Sequence, residues 1–239
     1  MLIAGFPAGP WGTNCYVVAT GPGSECVVID PGKDAAPGIE EAVREHGLKP
    51  VAVLLTHGHI DHVWSVVPVC GARGIPAWIH PADRAMLADP MAGISAQTAQ
   101  MLSSMTDGRL AAGEPDDVRE LADGAVLDLA GLQVVVDHAP GHTRGSVMFR
   151  RAAEDGVPPV LLSGDVLFEG SIGRTDLPGG DHATMLASLA AKVLPLEDDT
   201  VVLPGHGGTT TIGRERAGNP YLAALVEHAD GPSAPARGL

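Results

Sequence analysis

Aromatic side chains are scarce in this chain of 239 residues: three Trp, two Tyr and three Phe amount to 3% of it. Its core must therefore rest on Val, Leu, Ile and Ala, and the 31 Gly and 20 Pro imply many tight turns between elements, a composition that suits a sheet-rich sandwich. Cysteine is scarcer still. Cys15, Cys26 and Cys70 are odd in number and share none of the short spacings of zinc knuckles or redox motifs, so a reducing, cytoplasmic setting is expected. Two lie in expected strands and one in an expected helix, where each reads as a small buried hydrophobe rather than a reactive thiol. Basic charge is the third shortage. Fifteen Lys and Arg face 29 Asp and Glu, a formal net charge of -14, and no basic cluster could form a nucleic-acid footprint. Acidic small molecules are not excluded, because a pocket holding divalent cations could still attract them. The amino terminus, MLIAGFPAGPWG, has no basic leader and its apolar run is broken by Gly and Pro, so neither a secretory signal nor a membrane span is expected.

What is present is a rhythm of strands and helices adequate for one compact domain. Asn14–Ala19 and Cys26–Asp30 read as strands, the second running into Pro31-Gly32, and Ala36–His46 as a helix. Val51–Leu55 is a continuous apolar run, as in a strand covered on both faces. Asp61–Gly71 is expected to be helical and Ala77–His80 to be a short strand, which gives βαβ organisation. From about Ala82 to Asp123 the rhythm breaks, and this stretch reads as a helical insertion with a helix over Ser95–Met105. Met86, Met91, Met101 and Met105 could line a substrate entrance there, or simply pack adaptably. Strands at Ala125–Leu129, Leu132–Asp137, Ser146–Arg150 and Val160–Ser163 follow, with turns such as Ala130-Gly131 and Glu154-Asp155-Gly156. A helix from about His182 to Val193 and a strand at Thr200–Leu203 close the pattern. Two similar half-sets predict a sheet-on-sheet sandwich with outer helices over residues 1–228. The remainder, 229–239, has no apolar periodicity and is expected to be a disordered tail.

The strand Val51–Leu55 runs straight into Thr56-His57-Gly58-His59-Ile60-Asp61-His62. A lone histidine is more often a hydrogen-bonded structural residue than a ligand, but three imidazoles and a carboxylate at one strand end would be costly without a cation to compensate them. Further ligands are expected at other strand ends on the same rim. His142 follows Leu132–Asp137 within Pro140-Gly141-His142-Thr143, Asp165 follows Val160–Leu162 within Ser163-Gly164-Asp165, and His206 follows Thr200–Leu203 within Pro204-Gly205-His206-Gly207. Each sits beside a glycine, which permits the close backbone approach of a crowded site.

In this order, over about Asn14 to Tyr221, these four segments resemble the successive motifs of the metallo-β-lactamase superfamily. The resemblance implies an αββα sandwich of the α/β (α+β) class with the site at one edge. It implies that His57, His59 and His142 bind one metal, that Asp61, His62 and His206 bind another, and that Asp165 bridges them. Two divalent ions per chain are expected, with zinc the default and iron or manganese as alternatives. Gly173-Arg174-Thr175-Asp176, Gly179-Gly180-Asp181 and Asn219-Pro220-Tyr221 resemble the small glyoxalase II-like hydrolases, while Arg174-Thr175-Asp176 is also similar to the persulfide dioxygenases. The short stretch after His206 is expected to lack both the helical carboxy-terminal domain of glyoxalase II enzymes and the nuclease domain of the RNA-processing branch.

The function so implied is binuclear hydrolysis of an acyl thioester of the S-2-hydroxyacyl-thiol type, a small-molecule substrate, with Asp61 and Asp165 as catalytic carboxylates. Metal-bound water, whose pKa falls from 15.7 to about 7, would be the nucleophile. The alternatives are a mononuclear iron persulfide dioxygenase using His57, His142 and Asp165, a hydrolase of another ester or lactone, and a non-catalytic metal-binding protein. Arg174 either binds a substrate carboxylate or pairs with Asp176 or Asp181. His80 and His138 either support the ligands from behind or are structural, and His46, His182 and His228 read as surface or helix residues.

Overall fold

A computed structural model describes residues 1–95, 97–100, 113–154 and 156–230. Period-two alternation decides where the strand side chains go. On β2 (Thr13–Ala19), Cys15, Val17 and Ala19 face one core while Tyr16 and Val18 face another, and on β3 (Glu25–Ile29) Cys26 and Val28 oppose Val27 and Ile29. All are buried. A strand with both faces buried needs cover on both sides, which is why such segments read as unbroken apolar runs.

That cover comes from two six-stranded sheets stacked face to face. The first has the order β1 (Leu2–Ala8), β2, β3, β4 (Lys49–Leu54), β5 (Ala77–Ile79) and β6 (Val118–Glu120), with parallel pairing from β3 onward. The second has the order β14 (Thr210–Thr211), β13 (Val201–Pro204), β10 (Val160–Gly164), β9 (Val147–Arg151), β8 (Leu132–His138) and β7 (Val126–Leu129), antiparallel except for β10 with β13, while β11 (Leu167–Phe168) and β12 (Ser171–Ile172) form a separate hairpin. Val27, Ile29 and Leu54 from the first sheet meet Val136, Phe149 and Leu162 from the second in the central core. Helices α1 (Ala36–His46) and α3 (Val66–Gly71) cover the outer face of the first sheet through Ile39, Ala42, Val66 and Val69. Residues 182–193, which begin as helix His182–Ser188 and continue as a π-turn, together with Ile212–Gly218 and Pro220–Asp230, cover the second through Met185, Leu189, Ile212 and Leu222. The layers are αββα, as expected. Among the described residues no helix is long and apolar enough to cross a membrane.

Several local expectations need correction. The amino terminus forms β1, paired with β2 from Leu2↔Ala19 to Ala8↔Thr13; as an edge strand it tolerates Pro7. The helix expected over Asp61–Gly71 is two, α2 (Ile60–Val63) and α3. Pro68 lacks the N–H that would bond Trp64 four residues back, so the helix breaks one turn earlier. Ser65 is instead tied to the preceding loop, its N–H donating to Pro31 O (2.9 Å) and its hydroxyl to Gly32 O (2.7 Å). The segment 82–123 contains helix Ala85–Ala88, a 3-10 turn at Pro90–Gly93 and helical residues 97–100, but it also supplies β6 to the first sheet. The rest of the helix expected over Ser95–Met105, with Met101 and Met105, lies outside the described residues. The last helix runs through Asp230, past the expected start of the tail, and residues 231–239 lie outside the described residues.

Candidate metal centre

The rim where β4, β8, β10 and β13 end carries the site. After β4 the chain turns through residues 55–59 into α2, and His57, His59 and His62 are 1%, 3% and 0% exposed. Two buried carboxylates hold this loop. Asp30 Oδ1 accepts from Thr56 N (2.8 Å) and its Oδ2 from Thr56 Oγ1 (2.6 Å), while Asp83 Oδ2 accepts from Gly58 N (3.0 Å). A Cβ on Gly58 would lie 2.9 Å from Asp83 O and 2.7 Å from Met86 Cε, so only glycine lets the loop seat here. Asp83 also grips the loop that bears His142, accepting from Thr143 Oγ1 (2.6 Å) and Gly145 N (2.7 Å). The His206 loop is joined to the end of β10 by Gly205 N to Gly164 O (2.8 Å) and to the start of β2 by Asn14 N to Gly205 O (2.7 Å).

All seven residues singled out from the sequence converge. Three groups, His57–His59–His142, His57–His62–Asp165 and Asp61–His62–His206, each offer ligand atoms within 4.8 Å of one another and could hold a metal ion. Asp165 lies between them: its Oδ1 is 3.3 Å from His62 Nε2, and its Oδ2 is 3.5 Å from His142 Nε2 and 3.6 Å from His206 Nε2. Asp61 Oδ2 is 3.1 Å from His206 Nε2 and 3.5 Å from His62 Nε2.

Outer partners orient the rings. His57 Nδ1 meets Thr56 Oγ1 (3.0 Å), His62 Nδ1 meets Asp30 Oδ2 (2.9 Å), His142 Nδ1 meets the Arg174 carbonyl (2.7 Å) and His206 Nδ1 meets the Trp11 carbonyl (3.2 Å). In each case Nε2 is left for the centre, the arrangement by which metal-binding imidazoles have their tautomer fixed. Inside, His57 Nε2, His62 Nε2 and Asp165 Oδ1 are buried without a hydrogen-bond partner, while His59 turns its Nδ1 to His142 Nε2 (2.8 Å) and its Nε2 lies toward Gly93. Orphaned buried polar atoms are rare and costly, and this cluster of nitrogen and carboxylate donors fits a divalent cation.

Burial and the neighbouring imidazoles push His57 well below the usual histidine range, and burial with His142 takes His59 down to about 3. Burial acts on His62 in the same sense but is outweighed by Asp165 and Asp61, which raise it. His206 is raised by Asp61 and Asp165 against its own burial. Asp61 and Asp165, despite burial, are held below the ordinary carboxylate range chiefly by His62. In the metal-free protein, burial thus favours the neutral form of His57 and His59, while the neighbouring carboxylates favour protonation of His62 and His206.

The centre opens into a cavity of about 480 Å³. Of the two roles open to Arg174, the ion pair is observed, with Nε and one terminal nitrogen each 2.7 Å from an Asp176 oxygen. Asp181 caps the helix at His182 through Thr184 N (2.7 Å). His80 and His138 stack on each other with ring centres 4.0 Å apart, and His138 bonds Arg144 O, so they are structural. No methionine is among the described residues lining the cavity, and Met86 packs beneath Gly58. The sequence reading missed Asp30 and Asp83, though Asp30, a carboxylate ending the apolar run Cys26–Ile29 as the ligands end theirs, carried a legible signal.

An αββα sandwich with histidines and aspartates gathered at the strand ends is the architecture of a metal-dependent hydrolase, and the metallo-beta-lactamase superfamily matches residues 8–206. The chain belongs to that superfamily, whose members bind divalent metals. An uncharacterized protein of Mycobacterium tuberculosis is 49% identical over 227 residues, covering 94% of this chain and 99% of its own. Hydroxyacylglutathione hydrolase GloC of Haemophilus influenzae is 35% identical over 201 residues, covering 82% and 86%. Among solved structures, the BLEG-1 B3 metallo-beta-lactamase superposes with a TM-score of 0.78 at 41% identity (92% and 99% covered). TTHA1623 in a di-iron-bound form does so with 0.72 at 36% (93% and 100%).

Proposed function

We propose that this chain is a binuclear hydrolase that cleaves an acyl thioester of the S-2-hydroxyacyl-thiol type in the cytoplasm. The observation that carries the reading is the run of overlapping candidate ligand groups sharing His57 and His62, whose Nε2 atoms are both buried without a hydrogen-bond partner. In this reading His57, His59 and His142 hold one ion, Asp61, His62 and His206 hold the second, and Asp165 joins them. The identity with GloC supports a thioester substrate, and three free, buried cysteines fit a reducing compartment. Zinc is the metal proposed, with iron the alternative that the di-iron neighbour suggests.

Two bound divalent ions would supply a hydroxide at neutral pH and Lewis-acid stabilisation of the developing oxyanion. The protein's own groups do the positioning. Thr13 Oγ1 donates to Asp61 Oδ2 (3.0 Å), which leaves the other Asp61 oxygen to accept from the attacking water and orient it. Asp165, between His62, His142 and His206, keeps the two halves in register. A thiolate leaves without much proton assistance, so no serine nucleophile or separate general acid is required. The test is metal content together with hydrolysis of S-lactoylglutathione. Near two ions per chain and turnover that falls at least about 100-fold in Asp61→Asn, beyond the range for an outer partner alone, is expected. One iron per chain, with oxygen uptake on a thiol persulfide, overturns the reading in favour of a dioxygenase.

A further inference from the structure

The wall of the cavity beside the metal centre is apolar where a charged substrate would need cations. Phe168 sets its ring edge-on to His206 (centres 6.2 Å, 79°), and Trp11, whose carbonyl receives His206 Nδ1, leans on Trp64 (6.0 Å). Ile94, Ile172 and Leu177 continue the same wall. Trp11 stays 38% exposed, one of few large apolar side chains left so open among the described residues. A large apolar side chain left in water at the mouth of a polar centre loses favourable burial that a ligand can restore. The only Lys or Arg among the described lining residues is Arg174, whose guanidinium is closed on Asp176 by two bonds, while the floor adds Asp61 and Asp165.

We propose that the substrate of this site carries a hydrocarbon group next to the scissile bond, packed against Trp11 and Phe168, and that these two residues set specificity. The inference rests on the thioester reading above, and the same chemistry could sit on the acyl side or on the thiol side. Two series separate these sources: acetyl, butanoyl and hexanoyl thioesters of N-acetylcysteamine, and acetyl thioesters of ethanethiol, butanethiol and hexanethiol. Each methylene that reaches the wall should raise kcat/KM about fourfold, the equivalent of about 0.8 kcal/mol for a buried methylene. A rise of at least about tenfold along one series is therefore expected, together with a succinyl thioester slower than the butanoyl one. In Phe168→Ala and Trp11→Ala the ratio of longest to shortest should shrink several-fold. The ratio is taken within each variant, so a general loss of activity cancels.

Calorimetric binding of acetate, butanoate and hexanoate, and of the free alkanethiols, to the metal-loaded protein gives a readout independent of turnover. Affinity should climb with chain length along the same arm. Hydrolysis with no length dependence in either series, and flat binding, overturns the inference and leaves the hydrolase reading standing. Rising affinity without any thioester hydrolysis removes the thioester reading and retains the apolar wall.

Discussion

Asp30→Asn separates the work of an outer carboxylate from that of the ligands. Asp30 is 1% exposed and has φ 47°, in the left-handed region where asparagine is among the better tolerated residues, so the substitution keeps the backbone and the volume and changes one oxygen to an amide nitrogen. That nitrogen has no good place. On the Oδ1 side it confronts the Thr56 N–H and releases the ligand loop. On the Oδ2 side it confronts the Thr56 hydroxyl and His62 Nδ1, 2.9 Å away, and the imidazole can accept from it only by moving its proton to Nε2. Nε2 is the atom that faces Asp165 Oδ1 at 3.3 Å and would hold the second ion. Loss of such an outer partner costs about 10- to 100-fold in metal affinity, or about 1.4–2.7 kcal/mol. The assay is competition with a chromophoric chelator, which resolves the two binding steps, alongside bound metal per chain. The loss should fall mainly on the step that involves Asp61, His62 and His206. Two unperturbed binding steps in Asp30→Asn would refute the claim that Asp30 sets the His62 tautomer.

Asp83→Ala leaves Gly58 N and Gly145 N buried without their acceptor, at about 1–3 kcal/mol each, so the metal-free protein should melt lower by several degrees; an unchanged Tm would show that the two loops do not depend on this carboxylate. Gly205→Ala puts a Cβ 2.7 Å from His62 Cε1 and closer still to Asp165 Oδ1. It should abolish stoichiometric metal binding even if the chain folds, and two ions per chain in this variant would contradict the packing. Acidification should empty the two halves in order. His62 and His206 have raised pKa values, so protons compete for them from a higher pH, whereas His57 and His59 are depressed and stay available. Metal per chain after dialysis across a pH series should therefore pass from two to one before reaching zero, and loss of both ions in a single step would refute the sequential emptying.

The candidate ligands were legible in the sequence because so many His and Asp at strand ends would be costly without a cation. A run of His57, His59, Asp61 and His62 after the apolar strand, and single His or Asp residues beside Gly141, Gly164 and Gly205, mark strand ends without knowledge of the fold. The alternating burial that makes the sandwich was legible for the same reason, since both faces of β2 and β3 had to be apolar. The short edge elements were not: β1 contains Gly5 and Pro7, which look like breaks until an edge position excuses them, and Val118–Glu120 is too short to show a period.

The supports of the site were hidden for a different reason. Asp83 is one aspartate in a polar stretch, and nothing local says that it reaches Gly58, 25 residues before it, and Gly145, 62 residues after. Its role exists only because the sandwich brings the ends of β4 and β8 together. Arg174 makes the same point from the other side. Asp176 and Asp181 were equally available to it in the sequence, but Asp181 is already engaged with Thr184 N at the start of a helix, so the guanidinium closes on Asp176. Arg174 also meets His142 Nδ1 through its carbonyl, and the cavity it borders is lined as well by Trp11 and Phe168.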